Sequence, residues 1–402
     1  MPSGSAELLR YPYVPDTGLD VDAMYKELQQ QPAIQVQLPF GDPVWLATRY
    51  QDVRTVYSDR RFSRRTPPDV EAPGVWAGAA NIDSTFPLGM DPPEHTRLRR
   101  ITAPVFSPRN VRAMGDRIQQ NVDTLVDVLV EHQPADFVAA VAWDLPITVL
   151  TEMLGVPRSD ADTFRSWVEA TTAFETEESE RAEVHQHLND YIDALIAERR
   201  TRPHDDLLGL LVTECDQGER LSEEQLRGLC MSLIVGGFET TATQLGSTVY
   251  ALMAHRDHWR QLVDGDCAMP AALEELWRWI PSFRYGTPFV RWAKEDIELS
   301  DGVVVHAGEA VLPEQSVANR DEAAYPHGSE LDFHRVDPLP HLALGFGEHL
   351  CMGIHLAKLQ VEVTVATLVR RFPNLELAIP GDEVQWPQWT CMRTVEALPL
   401  VW

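Results

Sequence analysis

The feature that most constrains the fold is a proline-free stretch from Ser222 to His255, whose middle is almost entirely apolar. A stretch of this length without a proline predicts one unusually long helix. Its middle, LCMSLIVGGFETTATQLGSTVYALM, is apolar on nearly every side, so the helix should run through the protein core. The sequence therefore predicts a body built around one buried helix.

Helical patterning covers most of the chain around this stretch. It begins near Asp91, where DPPEHTRLRR predicts a helix with Asp91 as its N-cap, and it continues to Pro281. One more helix is predicted to begin near Ile354. The predicted helical body therefore covers residues 91–281 and 354–371.

A smaller part of the chain has the alternating pattern of β-strands. The segments AIQVQLPF and PVWLATR flank a Gly-Asp pair and predict a hairpin, followed by a short helix from about Gln51. No linker or internal repeat separates the β-rich pieces from the helices. We therefore expect a mainly α fold with a smaller β region, a single domain over 1–402 with β-rich pieces near 33–48, 287–312 and 374–402.

Composition and charge argue against several classes of function. The 61 acidic and 34 basic residues give a formal net charge of −27, which leaves no excess of Lys or Arg to bind nucleic acid or an anionic membrane. No apolar run has the length of a signal peptide or of a bilayer-spanning helix, so we expect a cytoplasmic protein without a membrane partner. The five cysteines are widely spaced without a CxxC pair, and they predict neither a disulfide framework nor a cysteine-rich zinc site.

One cysteine lies in a sequence suited to a metal ligand. Cys351 belongs to LGFGEHLCMG (344–353), a glycine-rich loop just before a predicted helix. Glycines let the backbone approach a bound group closely, and the free N–H groups of a helix N-terminus stabilise a thiolate. The alternative is a buried structural cysteine. His349 and His355 also allow a small metal site, although no fourth ligand lies nearby.

The middle of the central helix carries an unusual combination, Gly236-Gly237-Phe238-Glu239-Thr240. Each glycine costs about 1 kcal/mol relative to alanine in a helix, and a buried acid is costly unless it pairs or works. A groove at the glycines, beside a carboxylic acid and a hydroxyl, suits the binding of a small molecule and the relay of protons to it. The alternative is a kinked helix in which the Thr240 hydroxyl bonds back to a carbonyl.

Two further pairs of side chains lie on single helix faces. Glu275 and Arg278 are i and i+3 neighbours, and alone they indicate an ordinary helix salt bridge. His95 and Arg99 are i and i+4 neighbours, and they could bind carboxylates through charge-assisted hydrogen bonds. The alternative for the second pair is a solvated basic face.

Together and in this order, the DPPEHTRLRR helix, GGFETT, EELWR and the cysteine loop resemble the cytochrome P450 superfamily, in particular its soluble bacterial members. The resemblance covers nearly the whole chain and implies a cytochrome P450-like fold around a buried haem b. It implies that Cys351 is the thiolate that binds the iron. It also implies that Glu239 and Thr240 form the acid–alcohol pair that delivers protons to dioxygen.

The resemblance also implies how the rest of the cofactor is held. The positions that match those binding haem propionates are His95, Arg99, Arg291 (in FVRWA) and His349. Glu275 and Arg278 match a structural pair rather than catalytic groups.

The chain departs from the pattern of that family at four places. An aromatic residue is usual seven positions before the cysteine, where this chain has Leu344. Glu330 occupies the position of the Arg or His that usually contacts the ExxR pair, unless Arg335 takes that role. Phe238 replaces a commonly polar residue beside the acid, and Pro313-Glu314 is unusual in a strand expected to face the haem. Both are candidates for shaping the substrate site.

The implied reaction inserts one oxygen atom of O2 into a substrate and reduces the other to water with two electrons. Nothing in the chain resembles a flavin- or nicotinamide-binding fingerprint, so a separate ferredoxin and ferredoxin reductase should supply the electrons. Arg100, Arg109, Arg112 and Lys358 flank the haem-holding segments and predict a basic patch for an acidic ferredoxin. The enzyme itself is expected to be a monomer.

The predicted substrate is a hydrophobic small molecule, of a size typical of polyketide or terpenoid natural products. The predicted lining is mostly apolar or aromatic and comprises residues 67–89, Met90, Ile234, Phe238, Phe289, Val290 and residues 389–392. A rearrangement, ring closure or desaturation is the alternative chemistry on the same fold. A haem-based gas sensor or electron carrier, or a helical binding protein without haem, are the alternatives from other classes.

Overall fold

The computed structural model describes residues 8–13, 18–68, 70–75, 86–172, 177–204, 206–217, 221–284, 290–388 and 390–402. Most of this described chain is helical. In chain order its α-helices are α1 (Ala23–Leu28), α2 (Tyr50–Ser58), α3 (Glu94–Thr102), α4 (Pro108–Ala113), α5 (Gly115–Leu129), α6 (Asp144–Leu154), α7 (Ala161–Thr172), α8 (Glu178–Thr201), α9 (Leu207–Asp216), α10 (Glu223–Gly237), α11 (Glu239–Ala254), α12 (Arg256–Asp264), α13 (Met269–Trp279), α14 (Gln315–Ala318) and α15 (Ile354–Arg371).

The strands are short and lie mostly at the two ends of the chain. In chain order they are β1 (Leu9–Arg10), β2 (Ile34–Gln37), β3 (Val44–Ala47), β4 (Phe62–Ser63), β5 (Ala135–Asp136), β6 (Arg291–Ala293), β7 (Ile297–Glu298), β8 (Val304–Val305), β9 (Ala310–Pro313), β10 (Glu376–Leu377) and β11 (Pro399–Val401). The predicted fold class, mainly α with a smaller β region, is confirmed. The single-domain organisation over 1–402 stays a prediction.

The main sheet joins the N-terminal hairpin to strands from the second half of the chain. Its strand order is β1-β2-β3-β9-β6-β4, and β10-β11-β5 and β7-β8 form two smaller sheets. The predicted hairpin is present, with Ile34 opposite Leu46 in antiparallel β2 and β3. Parallel pairing of β3 with β9 places Trp45 opposite Val311. The sheet therefore brings residues near 310 beside the N-terminal segment.

The central helix is buried as predicted, but it is two helices. The Ser222 hydroxyl and the Gln225 side chain form a capping box that starts α10, and His255 ends α11. Between them, Phe238 has φ −95° and ψ −76°, which interrupts the helical hydrogen bonds. The prediction of one continuous helix is therefore wrong at Phe238. The adjacent glycines, with their low helix propensity, make this the weakest place in the stretch.

Helix α11 lies in the largest core cluster of the described residues. Leu245, Val249 and Leu252 are at most 1% exposed, and α11 packs against α6, α13 and α15. Within the described part of the chain, no helix has the length and apolar character required to cross a bilayer.

Helix α13 is fixed to the loop before the cysteine by a buried ion-pair network. Arg278 donates to both carboxylate oxygens of Glu275, at 2.6 Å each, and Arg335 Nε donates to Glu275 Oε1 at 2.8 Å. Arg335 therefore takes the role that the family pattern gives to an Arg or His. The assignment of that position to Glu330 is wrong, because Glu330 contributes only its backbone carbonyl, to Arg278 and Arg335.

The start of α3 also differs from the prediction. The helix begins at Glu94, after Pro93, so Asp91 is not its N-cap. The Asp91 carboxylate instead accepts hydrogen bonds from the Ser63 hydroxyl and from the Arg64 N–H, beside β4. Asp91 therefore joins α3 to the sheet, a long-range contact that a local capping pattern does not reveal.

Removal of Arg335 should show that the network stabilises the fold. In Arg335→Ala the buried Glu275 carboxylate loses one of its two cationic partners, so the free energy of unfolding should fall by about 3–5 kcal/mol. Arg117→Ala breaks an exposed pair with Glu152 and should cost less than about 1 kcal/mol. Chemical unfolding of both variants measures the difference, and equal losses would contradict this account of the network.

Candidate functional site

The loop that carries Cys351 is fixed by its own backbone. Gly345 and Gly347 have φ angles of +78° and +69°, in the left-handed region that favours glycine. A Cβ atom on Gly347 would lie 2.7 Å from the Tyr57 carbonyl oxygen, so the loop passes close to α2. The Cys351 N–H donates to the Leu344 carbonyl at 2.9 Å and closes the loop just before α15.

The Cys351 thiol lies before the start of α15, as expected. Burial raises the pKa of this thiol, whereas a hydrogen bond from the Gly353 N–H and the charge of Arg99 act in the opposite direction. The pKa of the free thiol is therefore raised on balance, although the N–H of Gly353 at the start of α15 lowers it, in the direction expected of a helix N-terminus. Gly353 and Arg99 are still the groups that stabilise a sulfur anion, and a bound metal ion deprotonates a coordinating thiol.

Five cationic or potentially cationic side chains lie together beside this loop. His95 and Arg99 lie on α3, His349 lies in the cysteine loop, Arg291 begins β6 and Arg64 follows β4. We call these five residues the cation cluster. The rings of His95 and His349 stack, with centroids 4.0 Å apart and an interplanar angle of 31°. The structure therefore brings together all four residues that the sequence assigned to haem propionates.

Burial and mutual repulsion lower the pKa values within the cation cluster. Burial and then the charge of Arg99 lower the pKa of His95 to about 4. Burial lowers the pKa of Arg291 to about 10. The pKa of His349 is lowered by burial and then by Arg291, His95, Arg64 and Arg99. Buried donors that repel one another are stabilised by carboxylates, so these residues fit the two propionates of a haem.

Arg64 is the member of the cluster that sequence reasoning missed. Strands β4 and β6 are antiparallel, with Ser63 opposite Trp292, and this pairing places Arg64 next to Arg291. The Arg64 guanidinium also donates to the Val290 carbonyl at 3.1 Å. A two-residue strand is too short to give an alternating pattern, so its pairing could not be predicted from the sequence.

The break between α10 and α11 leaves two glycines exposed in an otherwise buried helix pair. A Cβ atom on Gly236 would have no neighbour within 4 Å. The Thr240 hydroxyl donates to the Gly236 carbonyl at 2.7 Å, and the Thr241 hydroxyl donates to the Gly237 carbonyl at 3.2 Å. The contact expected from a kinked helix is therefore present. This hydrogen bond occupies the Thr240 proton, and the hydroxyl oxygen lies beside the exposed glycine face.

The side chains on either side of the break point to different surroundings. Glu239 is only 2% exposed, and its Oε1 atom accepts a hydrogen bond from the Thr390 hydroxyl at 3.2 Å. Phe238 is 1% exposed, and its ring centroid lies 5.1 Å from that of Trp143. Phe238 also lines a small apolar cavity with Leu150 of α6. Phe238 therefore anchors the break in the core, and its role in shaping the substrate site stays a prediction.

Glu314, which follows β9, is directed at the N-terminal segment. It is 1% exposed, and its Oε2 atom accepts a hydrogen bond from the Tyr11 hydroxyl at 2.6 Å. Burial raises the pKa of Glu314 to about 7, and the bonds from Tyr11 and the Ser316 N–H and the charge of Arg393 offset only part of that rise. The contacts of this carboxylate therefore lie among Tyr11, Ser316 and Arg393, not on the cation cluster.

Part of the predicted substrate lining cannot be placed. Residues 69 and 76–85 of the predicted loop, together with Phe289 and Trp389, lie outside the described residues. Met90, Ile234 and Val290 are described and are at most 4% exposed. The lining stays a prediction.

One other group of potential metal ligands occurs in the described part of the chain. It comprises Cys215, Asp216 and Glu223, whose ligand atoms lie within 4.8 Å of one another. Arg200 donates to both carboxylates of this group. The group is therefore an ion-pair network near the surface, and it does not compete with Cys351 as a metal centre.

Known proteins are similar to this chain over nearly its whole length. Residues 147–264 and 268–386 match the family model described as Cytochrome P450. The chain is 39% identical to mycinamicin IV hydroxylase/epoxidase from Micromonospora griseorubida, covering 99% of this chain and 100% of the relative. It is 41% identical to nocardicin C N-oxygenase from Nocardia uniformis subsp. tsuyamanensis, covering 98% of both.

Solved structures show the same similarity. The LnmA cytochrome P450 hydroxylase of the leinamycin biosynthetic pathway, from Streptomyces atroolivaceus S-140, is 37% identical with a TM-score of 0.89, covering 98% of this chain and 100% of LnmA. HinD, solved with NMFT and NO, is 37% identical with a TM-score of 0.90, covering 99% and 100%. The resemblance, the fold class and the enzyme class predicted from the sequence are confirmed.

Glu314 should make stability depend on pH in a specific direction. Its folded pKa of about 7 lies above the ordinary value of 4.5, so its stabilising contribution is present below pH 4.5 and is lost as the pH rises through 7. Glu314→Gln has no carboxyl group to ionise at this position, so it should not lose this stability as the pH rises. Above pH 7 its free energy of unfolding should therefore exceed that of the wild type by about 3 kcal/mol. Unfolding from pH 4.5 to 8 tests this, with the exposed Glu298→Gln as control. A wild-type-like pH slope in Glu314→Gln would be the contrary result.

Proposed function

Since the chain belongs to the cytochrome P450 family of monooxygenases, we propose that it oxidises a hydrophobic natural product with O2 and electrons from a separate redox partner. The family implies a haem-iron cofactor, and we propose haem b with Cys351 as its iron ligand. The observation that carries the proposal is the position of Cys351 beside the cation cluster, which offers a sulfur ligand and carboxylate partners in one place. When bound, the haem activates O2 so that one oxygen atom enters the substrate and the other becomes water.

The cation cluster would hold the haem by its carboxylates. Arg64 and Arg291 are buried guanidinium groups, which bind carboxylates with two parallel hydrogen bonds. His95 and His349 can each donate a ring N–H to a carboxylate, which would also offset the repulsion from the neighbouring cations that lowers their pKa values. Arg99 is shared between this role and the Cys351 sulfur.

Glu239 and Thr240 would supply protons for the reduction of oxygen. The Thr240 hydroxyl is at the exposed glycine face, where it can turn from the Gly236 carbonyl and donate its proton. Glu239 is an ionisable group one residue away, and it can return a proton to that site. A haem-based sensor or electron carrier has no need of this pair, which favours the monooxygenase.

The electron donor is proposed to be a ferredoxin reduced by a ferredoxin reductase. Arg100, Arg109 and Arg112 are exposed on α3 and α4, and α4 packs against α15, the helix that follows Cys351. Lys358 contributes less than predicted, because its ammonium donates to the Glu274 carboxylate at 2.6 Å. The remaining arginines would attract an acidic ferredoxin to this side of an acidic protein. The monomeric state and the cytoplasmic location stay predictions.

The substrate is proposed to be a polyketide or terpenoid natural product. Relatives of this chain are named for mycinamicin IV, for nocardicin C and for polyketide biosynthesis. A panel of mycinamicin IV, nocardicin C and vitamin D3 therefore provides probes for optical binding titration. We call the panel member that gives a binding shift and a product the turnover compound.

Substitution of Thr240 tests the proposed reaction. Thr240→Ala removes the hydroxyl but keeps the backbone, so folding and haem content should change little, since one neutral hydrogen bond contributes about 1 kcal/mol. With the turnover compound, this variant should still consume reductant but form less product and more hydrogen peroxide. Glu239→Gln should slow turnover about 100-fold and should also lower the product formed per reductant consumed, because the relay loses its ionisable group. Reductant consumed, peroxide formed and product formed are measured in one reaction.

Thr241→Ala is the matched control. Its hydroxyl makes the same kind of contact, to the Gly237 carbonyl, but the Thr241 side chain is buried. It should keep the wild-type ratio of product to reductant. Unchanged ratios in both Thr240→Ala and Glu239→Gln would contradict the proposed function.

A further inference from the structure

The buried carboxylate of Glu239 is held by a residue that no part of the proposed reaction uses. We infer that Thr390 is a positioning residue for Glu239, which ties the acid to the chain segment 390–395. This inference rests on the proposed function, because it concerns the acid that the relay requires. Thr390 follows α13 and α15 and is far from α11 in the sequence, so only the fold brings the side chains of Thr390 and Glu239 together.

The hydrogen bonds of Thr390 fix the direction of its proton. The Thr390 side chain is fully buried, and its oxygen accepts a hydrogen bond from the Met392 N–H at 3.2 Å. A hydroxyl has one proton to give, and the hydrogen bond to Glu239 Oε1, at 3.2 Å, uses it; the neighbouring Cys391 thiol also contacts this hydroxyl, and it can donate to the hydroxyl oxygen. The backbone of segment 390–395 therefore orients the hydroxyl, and the hydroxyl orients the carboxylate.

Segment 390–395 is held against α11 at a second point. The Ser247 hydroxyl donates to the Arg393 carbonyl at 3.2 Å. A Cβ atom on Gly246 would lie 3.0 Å from Val395 Cγ2, so the segment lies directly on the helix there. The contact at Glu239 is two helical turns away from Ser247. Two separated contacts define the position of the segment along α11.

The other side of the segment is hydrogen-bonded to the chain that follows α13. Phe283 and Met392 form an antiparallel β-bridge. The Arg284 N–H donates to the Cys391 carbonyl, and the Arg393 N–H donates to the Ser282 carbonyl, both at 2.9 Å. Thr390 is therefore supported by backbone hydrogen bonds and not only by its own side chain.

Electrostatics also place the Glu239 charge at this segment. Burial and then the charge of Glu239 raise the pKa of the Cys391 thiol, the residue next to Thr390. Glu239 is the first residue of α11, where the helix dipole and the free N–H groups favour a negative charge. A carboxylate with 2% exposure needs donors, and Thr390 supplies one from outside the helix.

This arrangement gives segment 390–395 an influence on proton delivery. The relay requires that the Glu239 carboxylate keeps one orientation relative to Thr240, its neighbour on α11. Any ligand that moves residues 390–392 also moves the donor on Glu239. The structure therefore links the position of this segment to the acid without a direct contact between the ligand and Glu239.

The test uses the full-length holoenzyme with Thr390→Val, Thr390→Ser and Thr394→Val. Thr394 is the matched control, because it is buried in the same segment and its hydroxyl donates to the neighbouring Val395 carbonyl. Infrared difference spectra of each variant monitor the carboxylate stretching band that Glu239→Gln removes. Thr390→Val should shift this band, whereas Thr390→Ser and Thr394→Val should leave it at the wild-type position.

Turnover provides the second measurement, with the turnover compound. Thr390→Val should lower product formed per reductant consumed by about tenfold, the factor expected for one hydrogen bond to a charged group. Thr390→Ser should restore the ratio, and Thr394→Val should keep it. In the Glu239→Gln background, Thr390→Val should have no further effect on product formation.

The possible results separate this inference from the proposed function. If Glu239→Gln slows turnover but Thr390→Val matches the wild type in band position and ratio, the inference alone is overturned. The inference is also overturned if Thr394→Val loses as much product per reductant consumed as Thr390→Val does. It is likewise overturned if Thr390→Val lowers this ratio without shifting the carboxylate band, because Thr390 then has only a structural role. If Glu239→Gln turns over at the wild-type rate, the proposed function fails and the inference fails with it.

Discussion

The site depends on how the break in the central helix is satisfied. Two glycines interrupt a buried helical stretch, and the hydroxyls of Thr240 and Thr241 take up the Gly236 and Gly237 carbonyls. Without these hydroxyls, the two carbonyls at this exposed glycine face would depend on water or on a further distortion of the helix. Because hydroxyl groups replace backbone N–H groups as the donors to these two carbonyls, the glycine face stays open and Glu239 begins a new helix. One local feature therefore produces an opening, an alcohol and an acid side by side.

The second requirement is a rigid support for the cysteine loop. Arg278 and Arg335 together bind five backbone carbonyls of the chain that leads to this loop, those of Asn319, Pro326, His327, Gly328 and Glu330. A loop without regular secondary structure is thereby held at many points by two buried guanidinium groups. The Cys351 sulfur can then occupy one position relative to the cation cluster.

Sequence reasoning reached the parts of the site that are local in the chain. The glycine-bounded Cys351, the pair His95 and Arg99, and the acid and alcohol after Gly237 are each visible as short patterns. The fold class followed from the extent of helical patterning and from the hairpin. The predicted ends of the central stretch, near Ser222 and His255, agree with the structure, because the absence of proline over a long run is itself visible in the sequence.

Apart from the break at Phe238, the features that the sequence did not reveal involve distant partners. Arg64 joins the cation cluster only through a two-residue strand pair, and the choice between Glu330 and Arg335, which the sequence left open, is decided by the contact of Arg335 with Glu275. Asp91 caps the backbone beside β4 instead of its own helix. Thr390 reaches Glu239 across 151 positions of the chain. No periodicity or short motif encodes such contacts, so they require the three-dimensional structure.

The central claim is that the sulfur of Cys351 is the ligand of the haem iron. The most direct measurement is the optical spectrum of the reduced, carbon-monoxide-bound holoenzyme, since thiolate ligation shifts the main haem band to longer wavelength. The account predicts the shifted band in the wild type and in Cys391→Ser, which replaces another buried cysteine, and its loss in Cys351→Ser. A shifted band of normal intensity in Cys351→Ser would contradict the account.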